Sequence, residues 1–411
     1  MLFLYLYRMK VLVATTTFPR WKNDTRPSFV YSLSGLLARK FKIYILAPHH
    51  HGAKLMEKMG NLTVYRFPYF YPRKYQHLAW GAGILSNIKR SNLAKLQLPS
   101  FLLSELVYLN KLIKKEKIGL IHAHWIIPSG LLAVILKKMH NIPVIVSVHG
   151  SDIFSLKGPI SRLIQRYVIE NCDVCTANSS ATKEEIIKEL KIKKDIKVIP
   201  MGVDMKQFAR KKDKKLLNKY KNNKNNKLLL FVGRLAEQKG LQYLIKALPL
   251  VLKKYPKTKL LIIGEGSYKK ELTELTDKLN LRENIIFIGA LPHAELAGYY
   301  KIADAFILPS ISGEGLGIVL AEAIAAGAPV IGTKTGGIPD IIKDRETGLL
   351  VRKKDEKDIA NKISALLGNK KLSATLVKNG QKHIRKNLSW GVIVKKFEKI
   401  YSDFKRKNEK N

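Results

Sequence analysis

Acidic residues are scarce in this chain. Its 411 residues hold 32 Asp and Glu against 74 Lys and Arg, a formal charge of +42. A field of that sign attracts nucleic acid, anionic membrane and phosphorylated ligands. The excess is mostly Lys scattered through stretches such as KLIKKEK and KELKIKKD, a pattern of solvated faces. Zinc-finger spacing, RNA-binding aromatic signatures and basic zippers are absent, so no specific nucleic acid is expected as a partner. Cysteine is nearly missing. Two residues, Cys172 and Cys175, exclude a disulfide scaffold. Their spacing matches a redox pair, but the context NCDVCTANS reads as the entry to a buried strand, so two buried thiols and a cytoplasmic location are expected. A clean run of 18 apolar residues is missing too. The nearest, GLGIVLAEAIAAGAPVIG, contains Glu322, Gly327 and Pro329 and reads as helix, turn, strand. The opening MLFLYLYRMK lacks the basic leader and small-residue cleavage site of a signal peptide, so residues 1–8 read as an extension or the product of a misplaced start codon, before a strand that follows Met9.

A hydrophobic content of 46% and a charged content of 26% are those of a folded chain, and the length implies two or three domains. Short Val/Ile-rich runs alternate with amphipathic stretches. In the first half candidate strands fall at 10–15, 42–47, 62–67, 118–122, 143–148, 173–177 and 196–199. A polar Lys/Asn-rich stretch, 205–227, then reads as a connector with an exposed helix. A second series of strands follows near 228–232, 258–263, 285–288, 305–308, 329–332 and 348–351. Continuous apolar strands alternating with helices imply parallel sheets covered on both faces. The expectation is α/β: two doubly wound, Rossmann-like domains, 9–205 and 206–388, facing a central cleft. In such sheets ligands bind outside the carboxyl ends of the strands. Residues 389–411 read as a final helix.

The stretch SISGEGLGIVLAEAIAAGAPVIG, residues 310–332, carries the most chemistry. A strand ends near Pro309, a Gly-rich turn follows, and a helix begins near Leu316. Amides at a helix start suit an anionic or hydroxyl-rich ligand. Glu314 in the turn and Glu322 two turns on can hydrogen-bond sugar or ribose hydroxyls, and Glu322, flanked by VLA and AIAA, reads as buried and in need of a partner. Arg234 and Lys239 follow a strand directly, which places two cations where an anionic group can be stabilised. His149 ends another strand, with Asp152 in the same turn.

The segment EGLGIVLAE closely resembles the E-x7-E motif of family 4 glycosyltransferases, the group 1, retaining enzymes of the GT-B fold. FVGRLAEQKG at 231–240, GGIPDII at 336–342, ETGLLV at 346–351 and VHGSDIF at 148–154 resemble further landmarks of the family. HAHWIIPSG at 122–130 and RFPYFYP at 66–72 resemble a subgroup common in surface-polysaccharide and glycolipid synthesis. The resemblance implies a hexose moved from a GDP- or UDP-sugar to a lipid-linked or soluble glycan with retention of configuration. It implies a C-terminal domain that holds the donor through Arg234, Lys239, Glu314, Gly315, Leu316, Gly317 and Glu322, and a final helix packed back on the N-terminal domain. His149, Arg234, Lys239 and Glu314 would carry catalysis, with His149 contacting the sugar from the other domain. Ser28, His124 and Asp152 would lie on the acceptor side; Ser28 stands where the family usually has Gly.

No metal and no cofactor are expected. The His runs at 48–52 and at His122/His124 can bind metal, yet no Asp-x-Asp motif stands in a suitable loop. GALPHAEL at 289–296 looks like the segment whose backbone borders the nucleotide base. The charge and the aromatic-basic run YRFPYFYPRKYQHLAW at 65–80 point to an anionic membrane surface as a partner, on the inner face of the plasma membrane, unless those aromatics are core. Two rival readings share these features: a nucleotide-sugar 2-epimerase, which needs no acceptor, and a non-catalytic basic protein that binds membrane or nucleic acid.

Overall fold

The computed structural model describes residues 9–21, 24, 29–81, 83–209, 213–221, 223 and 225–408. The segment 1–8 and Ser28 lie outside the described residues. The chain forms two compact units. The first comprises the described residues through Asn178, Thr182–Ile199 and those from Ile393 on; the second comprises Ser179–Ala181 and Pro200–Val392.

The first unit is built on an eight-stranded sheet: β1 Lys10–Ala14, β2 Lys42–Pro48, β3 Met56–Met59, β4 Leu62–Phe67, β5 Leu120–His124, β6 Val144–Val148, β7 Val174–Ala177 and β8 Ile196–Val198. Their order is β3-β4-β2-β1-β5-β6-β7-β8. All pairings are parallel except β3 with β4, an antiparallel hairpin at the edge. That hairpin was not anticipated: MEKM has two charged residues in four and too little apolar pattern to read as a strand, and only pairing with β4 makes it one. The second unit carries six parallel strands, β9 Lys227–Val232, β10 Thr258–Ile263, β11 Ile285–Gly289, β12 Ala305–Leu308, β13 Val330–Thr333 and β14 Leu349–Val351, in the order β11-β10-β9-β12-β13-β14.

Both sheets reverse direction once, between β1 and β5 in the first and between β9 and β12 in the second. These are the switch points where loops diverge and leave a crevice. The strands that flank them are buried almost end to end, as a sheet covered on both faces requires.

Three boundaries differ from expectation. The first unit ends at Ile199, not at 205, and the second runs on to Val392. The polar 205–227 stretch belongs to the second unit, where Asp204 and Asp213 cap the short helices Met205–Phe208 and Lys214–Tyr220. Val203 N–H donates to Leu388 O, and Gly202 lies so close to Trp390 that a Cβ would meet its ring at 2.5 Å, which ties this passage to the end of the same unit. The helix expected near Leu316 begins at Ile318, because Gly317 takes the left-handed conformation, φ 79°.

The final helix, Trp390–Asn408, contributes its residues from Ile393 to the first unit. Phe397 and Tyr401 pack there against His122, and Glu398 pairs with Lys40 at 2.8 Å. The aromatic run 65–80 is mostly core: Tyr65, Phe67, Tyr69, Leu78 and Trp80 are buried, and Tyr71 and Tyr75 stand out. Phe67 and Tyr69 both pack edge-on against Phe101, which explains why these rings turn inward. Cys172 and Cys175 are buried free thiols at β7. Among the described residues no helix is long and apolar enough to cross a membrane.

Candidate functional site

In the second unit the loops after β9 and β12 meet at the switch point. β9 ends at Val232, and a single helical turn, Glu237–Lys239, closes on Gly240. Gly240 has φ 68°, and a Cβ there would stand 1.9 Å from Pro309 O, so only glycine lets the two loops touch. Ile311 N–H donates to Gln238 O at 2.9 Å and fixes the contact. This brings Lys239 Nζ to 2.7 Å from Glu314 Oε2. Ser310 Oγ donates to the same oxygen at 2.8 Å. Glu314 is only 7% exposed, and its Oε1 has no hydrogen-bond partner among the described residues. The ammonium has three donors and gives one to Glu314, so two remain for other oxygens.

The turn that bears Glu314 is held from behind by the Gly336–Gly337 pair. A Cβ on Gly336 would lie 2.0 Å from Glu314 O, and one on Gly337 would lie 2.3 Å from Gly315 O. Gly337 N–H donates to Glu314 O at 3.0 Å. The amides of Gly315, Leu316 and Gly317, just before the Ile318–Ala326 helix, donate to no group among the described residues. Arg234 is pinned by its neighbours: Gly233 N–H donates to Ile263 O and Leu235 N–H to Glu265 O, each at 3.0 Å. Its guanidinium is exposed and has no partner among the described residues.

Glu322, 6% exposed, projects from a helix otherwise lined by Leu, Ile and Ala. Both of its oxygens are bonded, Oε1 to His293 Nε2 at 2.8 Å and Oε2 by the Tyr300 hydroxyl at 3.1 Å. The bond to Glu322 raises His293 above its ordinary value, against the opposing effect of burial. Burial likewise raises the Tyr300 phenol and keeps it a donor. Sequence reading required a partner for Glu322 without naming one. His293 lay in the PHAEL segment read for its backbone, and neither Tyr300 nor Ser310 was singled out, since nothing local marks the one in AGYYKI or the other in SISGEG as a partner.

In the first unit three histidines gather at the other switch point. His122 and His124 alternate on β5 and stack at 4.4 Å. His149, one residue past β6, stacks on His124 at 5.1 Å with ring planes 12° apart, and its Nε2 lies 2.9 Å from His124 Nδ1. His122 bonds the Tyr401 hydroxyl and Ser147 Oγ, each at 2.7 Å. Burial pushes His122 and His149 down to about 3 and His124 well below its usual value, so all three rings are neutral near pH 7. His149 Nδ1 and His124 Nε2 are buried without a hydrogen-bond partner among the described residues. His124 is wholly buried and meets His149 rather than opening outward.

Asp152 sits beneath this stack. Its Oδ1 accepts the His149 amide at 3.2 Å and its Oδ2 accepts the Ile126 amide at 3.1 Å, which locks the turn that carries His149. Burial pushes the Asp152 carboxyl up to about 6, opposed by those backbone donors. In the 48–52 run, His49 is occupied by Gln76 at 2.6 Å and Ala53 O at 3.0 Å. Among the described residues no group of three or more His, Cys, Asp or Glu is placed to hold a metal.

Comparison with known proteins bears on both units. A family model described as glycosyl transferases group 1 matches residues 212–383, and one described as glycosyltransferase family 4 matches residues 28–207. An uncharacterized glycosyltransferase of Methanocaldococcus jannaschii is 31% identical over 70% of this chain and 75% of its own length. A GDP-mannose-dependent alpha-(1-6)-phosphatidylinositol monomannoside mannosyltransferase of Mycolicibacterium smegmatis is 28% identical over 64% of this chain and 71% of its own length. Among solved structures, Anabaena HepE in complex with UDP superposes with a TM-score of 0.74 at 17% identity, covering 96% of this chain and all of that one.

Proposed function

The chain belongs to the group 1 glycosyltransferases of family 4, and on that premise we propose that it moves a hexose from a GDP- or UDP-sugar to a lipid-linked or soluble glycan, with retention of configuration. The observation that carries this reading is the Lys239–Glu314–Ser310 cluster at the β9/β12 switch point. One ammonium and one exposed guanidinium, Arg234, follow the same strand, as a departing diphosphate needs. The two remaining donors of Lys239 and the amides of Gly315 to Gly317 are suited to phosphate oxygens, and Glu314 Oε1 to a sugar hydroxyl. Glu322 would bind the ribose, with His293 and Tyr300 as positioning residues that aim it. Charge stabilisation by these side chains needs no divalent ion.

Retention is proposed on chemical grounds. Double displacement needs a free carboxylate beneath the anomeric carbon. Glu314 is held by Lys239 and Ser310 through Oε2, which suits it to hold hydroxyls rather than attack. A same-face substitution, in which the departing phosphate takes the acceptor proton, relies mainly on positioning and charge. His149, with its turn locked by Asp152, would hydrogen-bond the transferred sugar.

The mannosyltransferase relative is by its name GDP-mannose-dependent and specific for a phosphatidylinositol monomannoside, and HepE was solved with UDP. Both support a nucleotide sugar and leave two bases in view. The segments HAHWIIPSG and RFPYFYP support a place in surface-polysaccharide or glycolipid synthesis, and the +42 charge a peripheral position on the inner face of the plasma membrane. The test is a thermal-shift panel of UDP, GDP, ADP and their sugars in EDTA, followed by NMR of the product from an α-linked donor. An α-linked product formed in EDTA is expected. A β-linked product, or turnover restored only by magnesium, overturns the reading.

A further inference from the structure

Seven of the fourteen large apolar side chains that stand exposed among the described residues lie on three helices of the first unit, six of them in pairs. Leu103 and Val107 are four apart on Asn92–Glu116, Ile135 and Met139 four apart on Leu131–His140, and Ile160 and Leu163 three apart on Pro159–Asn171. Spacings of three and four put each pair on one face of its helix. The faces adjoin. Asn110, three residues past Val107, bonds His140 Nε2 at 2.6 Å, and Lys138 Nζ lies 5.4 Å over the ring of Tyr167, four residues past Leu163. None of these six residues is needed for the core, which the same helices supply from their other sides with Phe101, Leu109, Leu132, Leu136, Val168 and Ile169.

The unpaired charge on these three helices has one sign. Lys111, Lys114 and Lys138 are exposed and have no acidic partner among the described residues. The carboxylates on the three helices are each engaged: Glu105 is buried against Ser129, Glu116 meets Tyr65, and Glu170 pairs with Arg166. An apolar patch flanked by unpaired lysines matches an anionic bilayer, whose headgroups take the lysines and whose acyl boundary takes the apolar side chains. A second copy is a poor match, because each chain brings +42 and the two faces would repel.

We propose that this three-helix face docks the protein on an anionic lipid surface, an inference that rests on the peripheral-membrane element of the proposed function. It replaces the 65–80 run as the contact, since most of that run is core.

The test is flotation of the full chain at low salt with phosphatidylcholine vesicles with and without phosphatidylglycerol. Three variants are compared: Leu103→Glu with Met139→Glu; Lys111→Glu with Lys114→Glu and Lys138→Glu; and Tyr71→Ser with Tyr75→Ser. All seven side chains are exposed, so the fold tolerates them. The parent is expected to float only with the anionic lipid, the first two variants to lose about tenfold of that binding, and the tyrosine variant to keep it. A parent that stays at the bottom, or helix-face variants that float like the parent, overturns the proposal. So does a dimer, seen by light scattering, that the Leu103/Met139 variant dissolves. Nucleotide binding is read on the same samples by UDP and GDP thermal shift. A parent that binds nucleotide but does not float sinks docking and spares sugar transfer, and a parent that floats but binds no nucleotide sinks sugar transfer and spares docking.

Discussion

In the second unit ionisable side chains meet opposite partners, Lys239 against Glu314 and His293 against Glu322, with Arg234 open to solvent. In the first unit three imidazoles meet one another, neutral and buried, with two ring nitrogens unpaired. Both clusters stand at the carboxyl ends of the strands beside a switch point, so the backbone architecture is the same. The lesson is that one fold supports a charged site and an uncharged one, according to what packs around the strand ends. The charged cluster suits a donor diphosphate. The neutral one holds two buried ring nitrogens, each donor or acceptor by tautomer, with no partner among the described residues.

The sharpest way to break this contrast is Lys239→Ala. It removes the cation and leaves Glu314 buried with Ser310 alone. Turnover is expected to fall by about 100-fold or more, the scale for a lost charge-stabilising donor. Steady-state rates with saturating donor check it, and a rate within a factor of a few of the parent refutes the role.

Glu322→Gln is next. It keeps the shape and weakens the bonds to His293 and Tyr300. Free-nucleotide affinity should drop by about 1–3 kcal/mol, the range for a charged hydrogen bond. Calorimetry checks it, and unchanged affinity would remove Glu322 from the ribose.

A smaller effect follows from pH, and the two units should respond in opposite directions. His122 and His149 fall from 6.5 to about 3 in the folded chain. Between those values the unfolded chain binds more protons, so their contribution rises with pH and is lost on acidification below about 6.5. Asp152 and Glu105, raised to about 6 and about 7, act in the opposite sense over part of that window. His122→Gln therefore isolates the imidazole: the acid side of the melting profile should become shallower. His293 is raised by Glu322, so its pairing is complete below about 6.5 and lost as pH rises through the folded value. His293→Gln should flatten the alkaline side. If either variant shifts the whole profile without changing its slope, the assigned ionisation is wrong.

Thirteen of the fourteen strands were legible, because each carries a continuous apolar run bounded by turn residues. The hairpin strand Met56–Met59 was not, since its pattern makes sense only beside β4. Glu314, Arg234 and Lys239 were legible from motif and strand position. Their geometry was not: that Lys239 and Glu314 touch depends on Gly240 against Pro309, two residues 69 positions apart. The aromatic run 65–80 misled, because hydrophobicity and charge look alike in a core segment and a membrane contact until the inward faces are known.

By itself the sequence determined the α/β alternation, the two series of strands, the family and the chemical types at the strand ends. These follow from local periodicity and short motifs, which neighbouring residues decide. The tertiary structure alone decided the partners: His293 and Tyr300 for Glu322, Ser310 for Glu314, His124 for His149, and the three-helix face left open. The physical reason is that a buried polar atom must be met by another, but which one meets it is set by crossover connections that bring distant segments of the chain to one crevice.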